Sequence, residues 1–378
     1  LNPEYLPTVL QPKMWSSVVG GGYWTKELPE LDLVKQKNKQ FKKELDNFDM
    51  PEVYNAINIM QSTPFKINKF ILNVMQTAWD NGDAVGGMPS SVNLDIPNKP
   101  HDIETNKESR KEWKKKAVIA HTENARMFSK RLLYAKIIWL AQKFKEYTTL
   151  YYPLQFDFRG RAYCVPAFLN YQSIGGAKAM LVFSNGKEIT PENRGAFWLA
   201  VHGANMYGED KGSLEDRVKW VNDNEEWIVR CAQDPFRNRE WEDASNGFQF
   251  LAWCDEWRRY QSINIGEKFI SYLPVNVDGS CNGLQLYSLM LRDSTAGKLV
   301  NLLPTDKPQD IYQLVADAVN IKLKEHVAEG KPYAQQWLDY GVKRSTTKRS
   351  IMTICYGSTR YSCTDFVIED LTKRQDKG

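Results

Sequence analysis

Arg344-Ser345-Thr346-Thr347-Lys348-Arg349-Ser350-Ile351-Met352-Thr353-Ile354-Cys355-Tyr356-Gly357 sets Arg344, Lys348, Met352 and Tyr356 at a strict spacing of four. On a helix, successive steps of four rotate by only ~40°, so these side chains would form one slanting stripe ~18 Å long. The stripe reads cation, cation, apolar, phenol. Taken alone, it reads first as a solvated edge beside a core face. As a ligand surface it suits a nucleoside triphosphate, with the cations on the phosphates and the far end toward sugar and base. Gly357, just past the stripe, would let a flat base approach the backbone.

A second segment, Val277-Asp278-Gly279-Ser280-Cys281-Asn282-Gly283, places a lone carboxylate after the apolar run 272–277, which reads as a strand. By itself an Asp-Gly pair in that position marks a turn. The end of a strand would also fix the direction of Asp278. Gly279 would leave its carbonyl free to approach a metal ion, and the small Ser280 and Cys281 leave room for a ribose with its 2′-hydroxyl. Phosphoryl transfer asks little more of a protein than carboxylates for two hard cations ~4 Å apart and positive charge on the departing pyrophosphate. Arg344 offers a planar fork and Lys348 a compact point charge for that purpose.

Six further stretches accompany these two: Gly20-Gly21-Gly22-Tyr23-Trp24, Met50-Pro51-Glu52-Val53-Tyr54, Phe158-Arg159-Gly160-Arg161-Ala162-Tyr163, His202-Gly203-Ala204-Asn205, Val300-Asn301-Leu302-Leu303-Pro304 and Gln309-Asp310-Ile311-Tyr312. In wording, order and approximate spacing the chain resembles the single-subunit RNA polymerases of T-odd bacteriophages and mitochondria. The Lys348-Arg349 pair and the Tyr356-Gly357-Ser358 ending look more like the phage branch. The resemblance implies DNA-templated RNA synthesis by a two-metal mechanism. Its partners would be a double-stranded DNA template, nascent RNA and ribonucleoside triphosphates.

It further implies that Asp278, with the Gly279 carbonyl, holds one of two Mg²⁺ ions, and that Lys348 and Arg344 grip the triphosphate. Tyr356 would select ribose over deoxyribose beside Met352 and Gly357. Lys219, in Asp216-Arg217-Val218-Lys219, resembles a further triphosphate lysine on a thin local match, with a solvated surface lysine as the plain alternative. Arg159 and Arg161, read as two arginines on one face of an extended segment, would clamp the template–RNA hybrid beside Tyr163. Asp157 would orient one of them. Surface ion pairing is the alternative reading of that pair.

Composition is that of an ordinary globular protein: 42% hydrophobic and 25% charged over 378 residues, net charge +4. Charge is uneven, with twelve Lys/Arg against six Asp/Glu in 101–150 and four basic residues without an acid in 341–350. Such patches attract phosphate backbones, although charge runs are more often plain solvated faces. Six cysteines include no C-x-x-C pair and no His at zinc spacing, which argues against a zinc or disulfide framework. No apolar run approaches the ~18 residues of a membrane span. The location expected from the phage resemblance is the cytoplasm of an infected bacterium, with an organelle as the alternative.

Along the chain, 1–65 mixes turns with short helices, and Pro51 is placed to open one of them. A helix is expected in 66–90, ending at Asp80-Asn81-Gly82-Asp83, followed by a Pro/Gly/Asn-rich linker at 86–100. The span 107–148 reads as a long basic helix pair. Aromatic, β-rich texture follows at 151–168 and 180–183. Residues 190–268 are helical and Trp-rich, and the 12 tryptophans spread along the chain read as mostly core. A helix starts in 284–291, and 305–328 and 332–369 are helical again. Helical blocks around a few separated strands give a predominantly helical α+β fold.

Mapped onto the resemblance, this is a right-hand architecture. The end of an N-terminal domain occupies 1–65, the thumb 66–150, the first part of the palm 151–190 and a palm insertion 191–268. The palm with Asp278 follows at 269–295, and incomplete fingers at 296–378. His101-Asp102 mimics a catalytic dipeptide but reads as a surface accident, and Asp293 reads as structural. Leu286 stands where the family usually has a histidine. The family's second catalytic aspartate lies in a His-Asp-Ser segment expected beyond Gly378, and its promoter-recognition region upstream. The chain alone is therefore expected to be a weak binder and a poor catalyst, either a monomeric fragment or one half of a split enzyme. A complementary non-catalytic subunit, and a DNA polymerase of the same fold, are the competing readings; small residues after Asp278 disfavour the last.

Overall fold

Several helices begin where an asparagine or aspartate can cap them. The structure, a computed structural model, describes residues 3–264 and 267–375; the parts of the expected ranges at 1–2, 265–266 and 376–378 lie outside the described residues. Two compact units emerge, one from 1–210 with 217–275 and the other from 211–216 with 276–378.

In the first unit, Val34–Lys35 forms β1, and the Asn38 side chain accepts from the first amides of α1 (Lys39–Leu45). Pro51 opens α2 (Pro51–Gln61) at its first turn, as its missing N–H and fixed φ favour. After β2 (Phe65–Ile67), Asn68 caps α3 (Lys69–Asn81), which stops at Gly82 in the left-handed region. Within 66–90 the helix thus ends inside the expected breaker cluster.

Asn106 then caps α4, one unbroken helix over Lys107–Phe144. At 38 residues it is roughly 57 Å long. The expected pair is therefore a single rod, because no Gly or Pro interrupts the segment. Nor is the supposed linker free. The Arg131 guanidinium donates to the carbonyls of Ser90 (2.7 Å) and Val92 (3.1 Å) and to the Asn93 side chain, while Asn124 pairs with both backbone groups of Leu94. Trp113 Nε1 donates to the Pro97 carbonyl. A Pro/Gly-rich segment has many unsatisfied backbone groups, and the polar side chains of α4 take them up, so 86–100 is a strap lying along the helix.

Three small sheets follow from the expected β texture. β1 pairs parallel with β3 (Leu154–Asp157), which forms a hairpin with β4 (Ala162–Cys164). After α5 (Gly175–Ala179), β5 (Leu181–Phe183) pairs antiparallel with β2, Phe65 opposite Phe183. β6 (Lys187–Glu188) pairs with β7 (Ile270–Ser271). Beyond Ser271 the Tyr272 carbonyl accepts one bond from the Phe183 N–H, and then regular structure stops until 282. The run 272–277 is therefore no strand. Pro274 lacks a donor, and Val277 stands 93% exposed.

Between those strands lie α6 (Gly195–Tyr207), α7 (Leu214–Asp223), α8 (Glu225–Gln233), a 3₁₀ turn at Glu240–Asp243 and α9 (Gly247–Gln261). They hold much of the principal core, which runs from Phe65 to Trp257. Trp15, Trp241, Trp253 and Trp257 are buried, whereas Trp24, Trp139 and Trp198 are exposed. Gly203 of α6 is required by packing, since a Cβ there would lie 2.0 Å from the Trp253 ring. Trp253 itself is fully buried and donates its Nε1–H to the Leu199 carbonyl at 2.7 Å. A smaller cluster gathers Trp15, Leu31, Leu33, Ile57 and Leu154.

The second unit is helical: α10 (Asn282–Leu291), α11 (Ser294–Leu299), α12 (Ile311–Ala328), α13 (Ala334–Tyr340), α14 (Arg344–Ile354) and α15 (Arg360–Gln375). The expected block 332–369 is thus three helices, broken at Gly341 and Gly357, both at positive φ. Asp293 accepts from the Thr295 and Ala296 amides as the cap of α11, and is structural as expected. The chain is a predominantly helical α+β protein. Among the described residues no helix is long and apolar enough to cross a membrane.

His202 in α6 is 2% exposed, and its Nδ1 is buried without a hydrogen-bond partner among the described residues. Burial pushes its pKa from 6.5 down to about 4. Between those two values the unfolded chain binds the extra proton, so stability falls as the pH drops through this window. Urea unfolding at pH 7.5 and 4.5 should show on the order of 2 kcal/mol more loss in the wild type than in His202→Gln. Equal losses in both proteins would mean that this imidazole is not the titrating group.

Candidate active site

α14 carries three members of the sequence stripe and stops short of the fourth. Arg344, Lys348 and Met352 lie on the helix, but it ends at Ile354, and Tyr356 sits in the turn before Gly357. The four-residue stripe is therefore a helix face continued by a turn. Thr353 accounts for part of the break, since its hydroxyl donates back to the Arg349 carbonyl at 2.9 Å.

The turn brings Tyr356 to the segment around Asp278. Tyr356 Oη donates to Asn282 Oδ1 at 2.8 Å, on the first residue of α10. A Cβ on Gly283 would lie 2.9 Å from Cys355 Cβ and 3.4 Å from Tyr356 Oη, so the start of α10 and the end of α14 touch. Cys281, before α10, is buried with φ 56°, a left-handed strain that persists only where the surroundings enforce it. Burial, followed by a hydrogen bond with Cys281, pushes the Tyr312 phenol up.

Asp278 is exposed, and its Oδ1 accepts from the N–H of Gly279 at 2.8 Å. Gly279 is tightly placed: a Cβ would lie 3.2 Å from Gln285 Oε1. Among the described residues no cluster of three or more His, Cys, Asp or Glu side chains could hold a metal ion. A divalent magnesium ion seeks about six oxygen ligands. Asp278 supplies one carboxylate, so the donors present do not by themselves make such a site.

Arg344 is already engaged. Its Nε donates to Asp310 Oδ2, and its guanidinium lies 5.2 Å from the Tyr312 ring centre. Burial works to raise the Asp310 carboxyl, but the Arg344 bond and the amides of Gln313 and Tyr312 outweigh it and hold it below the usual range. Asp310 also caps α12. Lys348, by contrast, is exposed with no hydrogen-bond or ion-pair partner among the described residues. Thr347, buried beside it, donates to the Tyr312 carbonyl at 2.7 Å and locks α14 on α12.

Three residues quoted above only within motifs, and given no role there, organise this site: Asn282, Asn301 and Asp310. Asn301, at φ 56°, donates to Ser280 Oγ (2.9 Å) and the Gln309 carbonyl (2.8 Å) and accepts from the Gln309 N–H (2.7 Å). It ties the stretch after Asp278 to the segment that positions Asp310. An aspartate just before the apolar run Ile311-Tyr312 is a helix-start signal that could have marked Asp310.

In the first unit, 158–161 is the turn of the β3–β4 hairpin rather than an extended run, so Arg159 and Arg161 do not share a face by alternation. Gly160, at φ 82°, makes the turn. Asp157 does orient an arginine. It accepts from the Arg159 and Arg161 amides at 2.9 and 3.0 Å, and Arg159 folds back on it at 2.7 Å. Phe158 and Tyr163 are exposed. Lys219 pairs with Asp223 at 2.7 Å on an exposed face of α7, an arrangement worth at most ~1 kcal/mol. His101-Asp102 precedes α4, where Asp102 accepts from Ser109 and Asn106 as part of the helix start.

The second unit thus packs the strand-free Asp278 segment against a basic helix that is followed, in a turn, by an exposed tyrosine. Residues 190–378 match the family described as DNA-dependent RNA polymerase, and the chain belongs to that family. It is 37% identical over 98% of its length to the DNA-directed RNA polymerase of Enterobacteria phage T3 and to T7 RNA polymerase of Escherichia phage T7. It is also 30% identical over 94% of its length to the mitochondrial DNA-directed RNA polymerase of Neurospora crassa. It spans 44% of each phage relative and 25% of the mitochondrial one.

Asn301→Ala removes three hydrogen bonds and places an alanine at positive φ. The expected cost is about 2–3 kcal/mol, with lower amide-exchange protection at the starts of α10 and α12. Asn301→Gly, which keeps the backbone geometry, should recover only the strain. Unchanged exchange in both helices would show that Asn301 does not join them.

Proposed function

We propose that this chain contributes the nucleotide-binding and part of the catalytic surface of a DNA-directed RNA polymerase that adds ribonucleotides to a growing RNA 3′ end. One observation carries the reading: the Tyr356–Asn282 hydrogen bond, with Gly283 against Cys355, brings the Asp278 segment and the Lys348 helix into one site. Lys348, exposed and without a partner among the described residues, is available to a triphosphate and to the charge on departing pyrophosphate. Arg344 reaches the phosphates by exchanging Asp310 for them. Met352 and Tyr356 face sugar and base, and Gly357 admits the template base.

Asp278, with the Gly279 carbonyl, would supply part of a magnesium site, which needs further oxygen donors beyond these two. When bound, magnesium supplies charge neutralisation for phosphoryl transfer. In the first unit, the hairpin turn with Arg159, Arg161 and Tyr163 offers cations and an aromatic ring to the template–RNA hybrid, and Lys219 is assigned to the triphosphate. The long α4 with its strap is the thumb, 151–190 the palm's first part and 191–268 its insertion. The Asp278 segment, 269–295, belongs to the palm, and 296–378 forms fingers. Higher identity to the phage sequences than to the mitochondrial one supports a phage enzyme working in the cytoplasm of an infected bacterium.

Extension of an RNA primer on a DNA template by the polymerase carrying this segment tests the reading. Asp278→Asn and Lys348→Ala should each lower kcat/KM for ribonucleotides by at least ~10²-fold, while the protein stays folded by circular dichroism. Wild-type rates in both variants would sink the assignment.

Tyr356→Phe loses its bond to Asn282 and should incorporate deoxynucleotides more readily relative to ribonucleotides. An unchanged preference in competition assays would remove the tyrosine hydroxyl from sugar selection.

A further inference from the structure

In the first unit a cavity of about 260 Å³ has five glycines among its twelve lining residues. Gly86 and Gly87 of the strap form one side, Gly175 and Gly176 another, and Gly247 opens α9 at the end. We propose that this cavity is a binding site for a phosphate-class oxyanion.

Four features of the lining point the same way. Tyr134 of α4 is 4% exposed, and its hydroxyl has no hydrogen-bond partner among the described residues. That hydroxyl points into the cavity: Cβ atoms built on Gly87 and Gly176 would come within 3.7 and 3.4 Å of it. A Cβ at either position would sit in van der Waals contact with the phenol and take up part of the space before it. Burial pushes the Tyr134 phenol up to about 12, so it keeps its proton and can donate.

The second feature is the start of α9, a 15-residue helix whose cap residue, Asn246, makes no side-chain capping bond. The amides of Gly247, Phe248 and Gln249 have no acceptor among the described residues. Open amides at the positive end of a helix favour an anion. Third, Lys130 lies at the rim, exposed and without an ion-pair partner among the described residues. Fourth, no Asp or Glu among the described residues lines the cavity. Every polar group named here donates or is cationic, which is the recognition chemistry of a phosphoryl group. A water occupies ~30 Å³ of liquid volume, so the space holds a phosphate together with part of an attached ester.

The phosphoryl group could arrive as free phosphate or as the phosphodiester of a nucleic-acid strand. The test uses the full chain, inorganic phosphate against chloride at constant ionic strength, and a short single-stranded oligonucleotide without a terminal phosphate. Binding is read by calorimetry and thermal unfolding for wild type, Tyr134→Phe and Lys130→Met. Phosphate should raise Tm in the wild type, and Tyr134→Phe should weaken phosphate binding about tenfold. In phosphate-free buffer Tyr134→Phe should unfold no earlier than wild type, because its hydroxyl has no partner to lose. Lys130→Met should weaken binding with a reduced dependence on salt.

If the substitutions weaken the oligonucleotide and phosphate competes with it, the source is a phosphodiester. If they weaken phosphate alone, it is a free oxyanion. The proposal falls if neither ligand binds, if Tyr134→Phe binds both as wild type does, or if that variant loses stability equally with and without phosphate. None of these outcomes depends on RNA synthesis, so they stand apart from the fate of the proposed reaction.

Discussion

A single carboxamide holds the second unit in its working arrangement. Asn301 meets Ser280 on one side and both backbone groups of Gln309 on the other. One residue further, Asp310 caps α12 and receives Arg344 from α14. The path from the carboxylate segment to the basic helix therefore runs through side-chain amides and an ion pair, with few large apolar contacts. Many buried residues of this unit are small or polar, such as Gly297, Ala316, Ala334, Thr346 and Thr347, with Val300, Tyr312 and Val342 as larger apolar ones. Hydrogen bonds to defined partners specify geometry more sharply than apolar contacts do, and they are costly when left half-made. The same unit leaves Leu286, Leu289, Met290 and Leu291 of α10 exposed.

The first unit solves a different problem. Its aromatic core is dense enough to dictate backbone identity, as the contact of Gly203 with Trp253 and of Gly86 with Trp241 and Phe248 shows. Interiors packed like molecular crystals give way little, so glycine at these places is a consequence of neighbouring ring size. The strap along α4 follows another rule. A segment rich in proline and glycine cannot form its own ladder, and Arg131, Asn124 and Trp113 complete its hydrogen bonding from outside.

Much of this was legible in the residues. Pro51, Gly82 and Asp293 punctuate helices where local chemistry says they should, and the β texture at 151–168 and 180–183 emerges as β3, β4 and β5. The spacing of Arg344, Lys348 and Met352 is helical as read. What periodicity could not reveal was where helices stop without a strong breaker. Tyr356 continues the arithmetic of its stripe yet lies in a turn, because Gly357 and the Thr353 back-bond act through backbone conformation. Nor could alternation tell a strand from 272–277, whose apolar residues have no partner strand, or an extended arginine pair from a hairpin turn. The roles of Asn282 and Asn301 depend on partners 74 residues away and 21 residues away, which local reading does not reach.

Sequence separation in the first unit also bears on the order of events during synthesis. The strand pair β2–β5 joins Phe65 to Phe183, and the core that includes Phe65 closes only with Trp257. α4, being local, can form within about a microsecond of leaving the ribosome. At ~5–20 residues per second the remaining core takes on the order of ten seconds to arrive. During that interval the part of the face around Tyr134, Ile137, Leu140 and Ala141 that later residues bury stays open, with only earlier elements such as α3 able to pack on it. The strap, which is translated before α4, is in place to cover part of that helix early. Its polar grip on Arg131 and Asn124 would thus shelter a nascent chain as well as finish a folded one.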